Sequence, residues 1–97
     1  MKKPQLLYRL SKDKKVLYLR VPDESEGDTV LIFNRVMADF GFTPRSIWDK
    51  SLGVAVVPAI QRITIETTIV RIDLYEELNE HFYMTPIPNK DWYTKRF

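Results

Sequence analysis

The chain has 97 residues, room for one domain, and at this length folding buries only about two thirds of the surface the unfolded chain exposes, so the stability margin is narrow. A hydrophobic fraction of 44% with 12% aromatics supplies a core, while 29% charged residues and no apolar run near about 18 residues argue against a membrane span. The net charge is only +2 and cysteine is absent, which leaves no disulfide framework and no thiolate metal site and suits a cytoplasmic protein.

Met1-Lys2-Lys3 looks like the start of a signal peptide, but Arg9 and the charged run Ser11-Lys12-Asp13-Lys14-Lys15 interrupt the apolar stretch, so no export is expected. Residues 5–10 and 15–21 alternate as two strands, and the short polar turn between them makes an antiparallel hairpin. Leu6, Tyr8 and Leu10 share one face of the first strand, and Leu17, Leu19 and Val21 alternate along the second. Leu7, Val16 and Tyr18 fall on the opposite sets. A hairpin apolar on both faces needs a cover from the tail or from another chain, a homodimer included; the alternative is isolated exposed apolar residues. Through Arg20 the bases are Lys2, Lys3, Arg9, Lys12, Lys14, Lys15 and Arg20 against Asp13 alone. Asp23, Glu24, Glu26 and Asp28 then follow without a base and can offset the hairpin's field.

Residues 22–27 form an acidic connecting loop. Asp28 is placed to cap a helix that Gly41 ends, with Phe33, Val36, Met37 and Phe40 on its core side and Ile32 widening the stripe. Thr43 caps a second helix with Pro44 in its first turn, spanning residues 44–52 and stopped by Gly53. Ile47, Trp48 and Leu52 are its buried residues, with Arg45, Asp49 and Lys50 open to solvent or a partner. Residues 54–57 form a short strand ended by Pro58. From Arg62 onward Ile63, Ile65, Thr67 and Ile69 alternate on one side and Val70, Ile72 and Leu74 on the other, which predicts one long strand with a bulge near residues 68–70. Asp73 and Glu76 have the spacing of a capping box for a last helix, with Leu74, Leu78 and Phe82 inward and Glu76, Glu77 and Glu80 outward. Pro86 and Pro88 forbid a regular helix beyond it, leaving residues 84–97 as an extended tail that either packs or binds a partner.

The inventory for chemistry is thin. His81 is the only histidine, Gly27, Gly41 and Gly53 are far apart, and Ser11, Ser25, Ser46 and Ser51 lack nucleophile spacing; Glu66 and Asp73 lack an acid–base partner. No catalytic, cofactor-binding, metal or small-molecule site is expected, and the chain does not read as an enzyme.

In residues 37–52 a glycine corner at Gly41, an apolar residue at Phe42, a cap at Thr43 and a buried aliphatic at Ile47 resemble a helix-turn-helix, the DNA-binding motif. The resemblance implies a recognition helix presenting Arg45, Ser46, Asp49 and Lys50 to the groove, with Lys12, Lys14 and Lys15 on phosphates. The alternative for the same residues is an ordinary corner of two helices packed on a sheet.

The expected fold is one α+β domain over residues 1–97, a mainly antiparallel sheet of about four strands with helices packed largely on one face, in the order ββααββα. The leading function is non-enzymatic: an inhibitor or accessory protein, of phage or plasmid type, that docks on a protein through Leu7, Val16 and Tyr18 and the tail residues Trp92, Tyr93, Arg96 and Phe97, because aromatics and Arg anchor interfaces. DNA binding through the helix pair and Lys12, Lys14, Lys15, Arg45, Ser46 and Lys50 is the second reading.

Overall fold

The computed structural model describes residues 3–22 and 27–88. Strands β1 (Gln5–Leu10) and β2 (Val16–Arg20) form the expected hairpin, in register from Leu10 opposite Leu17 to Leu7 opposite Arg20. Its turn is built from side chains. The Ser11 hydroxyl donates to the Asp13 carboxylate at 2.5 Å, which also accepts the Lys15 amide at 3.0 Å, and Ser11 Oγ accepts the Val16 amide at 3.1 Å. The Ser11 hydrogen bond, helped by the Lys15 amide, holds the Asp13 carboxyl below its ordinary pKa.

Helix α1 (Gly27–Asp39) carries Asp28 within its first turn, where a carboxylate favours the helix dipole; this corrects the expectation of Asp28 as the cap. Phe33, Val36 and Met37 are buried and Phe40 packs against the core, but Ile32 is exposed and does not widen the stripe. The helix ends as Gly41 adopts φ +89°, its amide bonding to the Ala38 carbonyl and the Phe42 amide to the Met37 carbonyl. This pair of bonds is a Schellman closure, and Phe42 completes it by packing on the core.

Helix α2 (Pro44–Ile47) is a single turn and not the nine-residue helix expected over residues 44–52. Thr43 stands at its N-cap and Pro44 in its first turn as expected, but the bonds there come from Ser46, whose Oγ accepts the Thr43 amide at 3.2 Å and donates to the Thr43 carbonyl at 2.8 Å. Its end is set elsewhere. Trp48 turns extended and opens β3 (Trp48–Asp49), which pairs with β4 (Val54–Pro58) through Trp48 opposite Ala55. The Asp49 carboxylate closes that connection by accepting from the Ser51 amide, the Ser51 hydroxyl and the Leu52 amide, and Gly53 at φ +66° returns the chain to β4. Ile47 is buried as expected, whereas Trp48 is exposed.

The long bulged strand is instead a hairpin of β5 (Ile60–Ile65) and β6 (Thr68–Asp73), reversed at Glu66-Thr67 with Glu66 at φ +58°. Ile63 opposes Val70 and Gln61 opposes Ile72, so odd-numbered residues of one strand share a face with even-numbered residues of the other. The two apolar sets that look opposed along a single strand therefore lie together once the chain reverses.

Helix α3 (Leu74–His81) has Asp73 as its N-cap, accepting from the Glu76 amide at 3.3 Å, and buries Leu74 and Leu78, with Phe82 at its C-terminal end. The chain then forms β7 (Tyr83–Pro86), which pairs parallel to β1. The main sheet is thus five-stranded and mixed, in the order β3-β4-β2-β1-β7, with β5-β6 as a separate ribbon; three of its four pairings are antiparallel, so the mainly antiparallel α+β expectation fits roughly, while the strand count is five and a further strand, β7, follows the last helix. The Tyr83 and Ile87 amides donate to the carbonyls of Pro4, just before β1, and of Tyr8 within it, so the alternate positions facing outward are Met84, Pro86 and Pro88. Two of those three lack an N–H, which blunts this edge against a further strand.

The core joins Leu6, Leu17, Leu19, Ala55 and Val57 of the sheet to Phe33, Val36 and Met37 of α1 and to Leu74, Leu78 and Phe82 of the last helix. Leu10, expected on this face, is exposed near the hairpin turn. Phe33 and Phe82 meet edge-to-face with ring centroids 6.3 Å apart, and Tyr8 and Tyr75 do so at 5.0 Å.

Candidate functional site

Because α2 is a single turn and β3 only two residues, a gap is left beside α1 where Val30, Phe33 and Asn34 approach Ile47 and Trp48. The gap is a groove of about 440 Å³, with Phe33, Ile47 and Ala55 among its lining. All three are buried and apolar. Its rim carries Val30, 44% exposed, and Trp48, 51% exposed; Arg20 and Asn34 are also among its lining residues. Arg45 and Lys50 stand exposed on either side of Trp48 in sequence, whereas the intervening Asp49 is engaged with its own turn. A concave apolar lining with a few polar groups is the form of a binding cleft.

The residues singled out from the sequence are scattered. Leu7, Val16 and Tyr18 are half-buried on the sheet face opposite the core. Trp92, Tyr93, Arg96 and Phe97 lie outside the described residues. Lys12, Lys14 and Lys15 are exposed at the β1–β2 turn, where the Lys15 carbonyl accepts the Ala59 amide at 2.8 Å. That is the Pro58 end of β4, while Trp48 sits at its Val54 end, roughly 10–13 Å away at strand rise. Arg45 and Ser46 are exposed on a single helical turn and Lys50 in a β-turn, so the described chain has no recognition helix carrying residues 45, 46, 49 and 50 together.

The groove residues Arg20, Val30, Asn34 and Trp48 are not among the site residues expected from the sequence. A signal existed: Val30, Leu31 and Ile32 run consecutively on a helix whose core side is already filled by Phe33, Val36 and Met37, and all three are exposed. The β5–β6 ribbon also exposes Ile65 (55%) and Ile69 (67%), but the pairing of Ile65 with Thr68 and of Thr64 with Ile69 puts them on opposite faces, so no single surface gathers them. Among the described residues no helix is long and apolar enough to cross a membrane. No family model matches this chain, and no curated protein or solved structure matches it.

Proposed function

We propose that this protein acts without catalysis, as an accessory or inhibitor module that docks on a protein partner, and that the partner inserts an apolar side chain from an acidic segment into the groove between α1 and β3. The observation that carries the reading is the groove with a half-exposed Trp48 on its rim. Covering the exposed part of that indole removes on the order of 100 Å² from water, or about 2.5 kcal/mol, a hot-spot contribution from one residue. Charge supports the acidic partner: Arg45 and Lys50 flank Trp48, and the only acid between them is committed to its turn. A concave site encloses an inserted side chain on several sides, which a ribbon that divides Ile65 and Ile69 between its two faces does not.

The test is affinity capture from the source cell with nuclease-treated lysate, using the wild type, Trp48→Ala and Ile69→Ser. A protein retained by the wild type and by Ile69→Ser but lost with Trp48→Ala supports the reading. Capture that vanishes with nuclease would favour nucleic acid on Lys12, Lys14 and Lys15 instead, and capture indifferent to Trp48→Ala would move the interface away from the groove.

A further inference from the structure

Helix α1 carries a second stripe beside the one that fills the core. At about 100° per residue, Val30, Asn34, Ala38 and Leu31 fall in that order within about 100° of its circumference, between Phe33 and Met37 on one side and Arg35 on the other. Val30 and Asn34 line the groove, whereas Leu31, 67% exposed, and Ala38 stand in water beyond it. Three of the four are apolar, and a stripe continuous with a groove differs from apolar residues scattered singly over a surface. Val30, Asn34 and Ala38 also form an i, i+4, i+8 ridge about 12 Å long, the kind that seats in the groove of another helix. A single side chain inserted into the groove leaves the outer half of this stripe uncovered.

The backbone of β3 excludes an added strand as the occupant. The Asp49 carbonyl accepts the Gly53 amide inside its own hairpin, and the Trp48 amide donates to the Pro44 carbonyl. Two residues so engaged leave no ladder for a partner strand to continue. Charge narrows the choice further. Arg35 borders the stripe on α1, with Asp28 and Asp39 farther round the helix, and Arg45 and Lys50 flank Trp48 on the facing rim; all three cations are exposed. We infer, resting on the groove reading above, that the partner's acidic segment is an amphipathic helix of about two turns or more laid along Val30, Leu31, Asn34 and Ala38. Its apolar stripe is bordered by carboxylates that face Arg35 on one side and Arg45 and Lys50 on the other.

The test places a photo-crosslinking amino acid in turn at Val30, Leu31 and Ala38 of the full chain, and at Ile32 on the opposite flank of α1. Each variant is irradiated in the source cell and the adducts are sequenced. The expected result is that positions 30, 31 and 38 capture one protein, at partner residues about three, four or seven apart. Leu31→Asp, a change at an exposed position, should lower affinity for that protein by about tenfold. Adducts from Val30 with none from Leu31 or Ala38, together with an affinity indifferent to Leu31→Asp, would overturn the helix and leave the groove reading standing. Adducts at partner residues about two apart, the period of an extended segment, would do the same. Equal capture from Ile32 would also overturn it, because a helix laid on the stripe does not reach that flank. Failure of Val30 itself to capture a protein would overturn both.

Discussion

Replacing Phe82 by alanine tests the packing on which every other feature rests. Phe82 is fully buried, closes α3 through its amide bond to the Leu78 carbonyl at 2.8 Å, and meets Phe33 of α1 edge-to-face. It therefore links the helix that roofs the groove to the strand β7 that completes the sheet. Truncating a buried Phe costs about 3–5 kcal/mol, a range that includes the residual cavity and the lost ring contact. A domain of this size has only about 5–10 kcal/mol in total, so Phe82→Ala removes a third or more of it. At roughly 4–8 °C per kcal/mol, the melting temperature should fall by about 12–40 °C, with a lower urea midpoint and an unchanged denaturant slope. Phe82→Leu, which retains most of the volume, should cost much less. A double-mutant cycle with Phe33→Ala should show coupling of about 0.5–1.5 kcal/mol. A loss below about 1 kcal/mol for Phe82→Ala, or strict additivity with Phe33→Ala, would refute the packing described.

Gly41→Ala should destabilise the domain by about 1–2 kcal/mol in chemical denaturation, because φ +89° is a backbone conformation that a Cβ opposes although there is open space around the position. The Tyr8 phenol is raised above its ordinary pKa by its hydrogen bond with Tyr75 and then by burial, so the folded state holds that proton more tightly than the unfolded state does. Its contribution to stability is complete below the unfolded value and is lost as pH rises above about 10. Urea midpoints followed into alkali should fall less steeply for Tyr8→Phe than for the wild type, and identical slopes would contradict the Tyr8–Tyr75 bond.

The elements legible in the sequence were those whose signals are local. The β1–β2 hairpin follows from alternation around a short polar turn, α1 from Phe33, Val36, Met37 and the stop at Gly41, and α3 from the Asp73 cap and Leu74, Leu78 and Phe82. Helix α2 was legible only at its start. Thr43 and Pro44 announce a helix, but its end depends on Trp48 finding Ala55 across the sheet and on the Asp49 turn, which helical spacing does not encode. The ribbon was missed because period-two alternation carries no record of direction, and Glu66-Thr67 lacks the Asn or Gly that usually marks a two-residue reversal. Pro86 hid β7, although at an edge its missing amide faces outward and costs the ladder nothing. The groove was invisible for a related reason: with residues 44–52 taken as a helix, Trp48 is a core residue, and only its entry into β3 turns it into a rim.

Occupation of the groove by a protein partner can be read by contact from the groove itself. A photo-crosslinking amino acid at Val30, with a second copy of the experiment at Ile69 as control, is irradiated in the source cell and the adducts are digested and sequenced. A nuclease-resistant adduct from position 30 to one protein, at an apolar residue flanked by acids, is expected. Affinity for the identified protein should fall by on the order of 60-fold with Trp48→Ala, the equivalent of about 2.5 kcal/mol. Adducts to nucleic acid, or protein adducts from position 69 and none from position 30, would contradict this occupation.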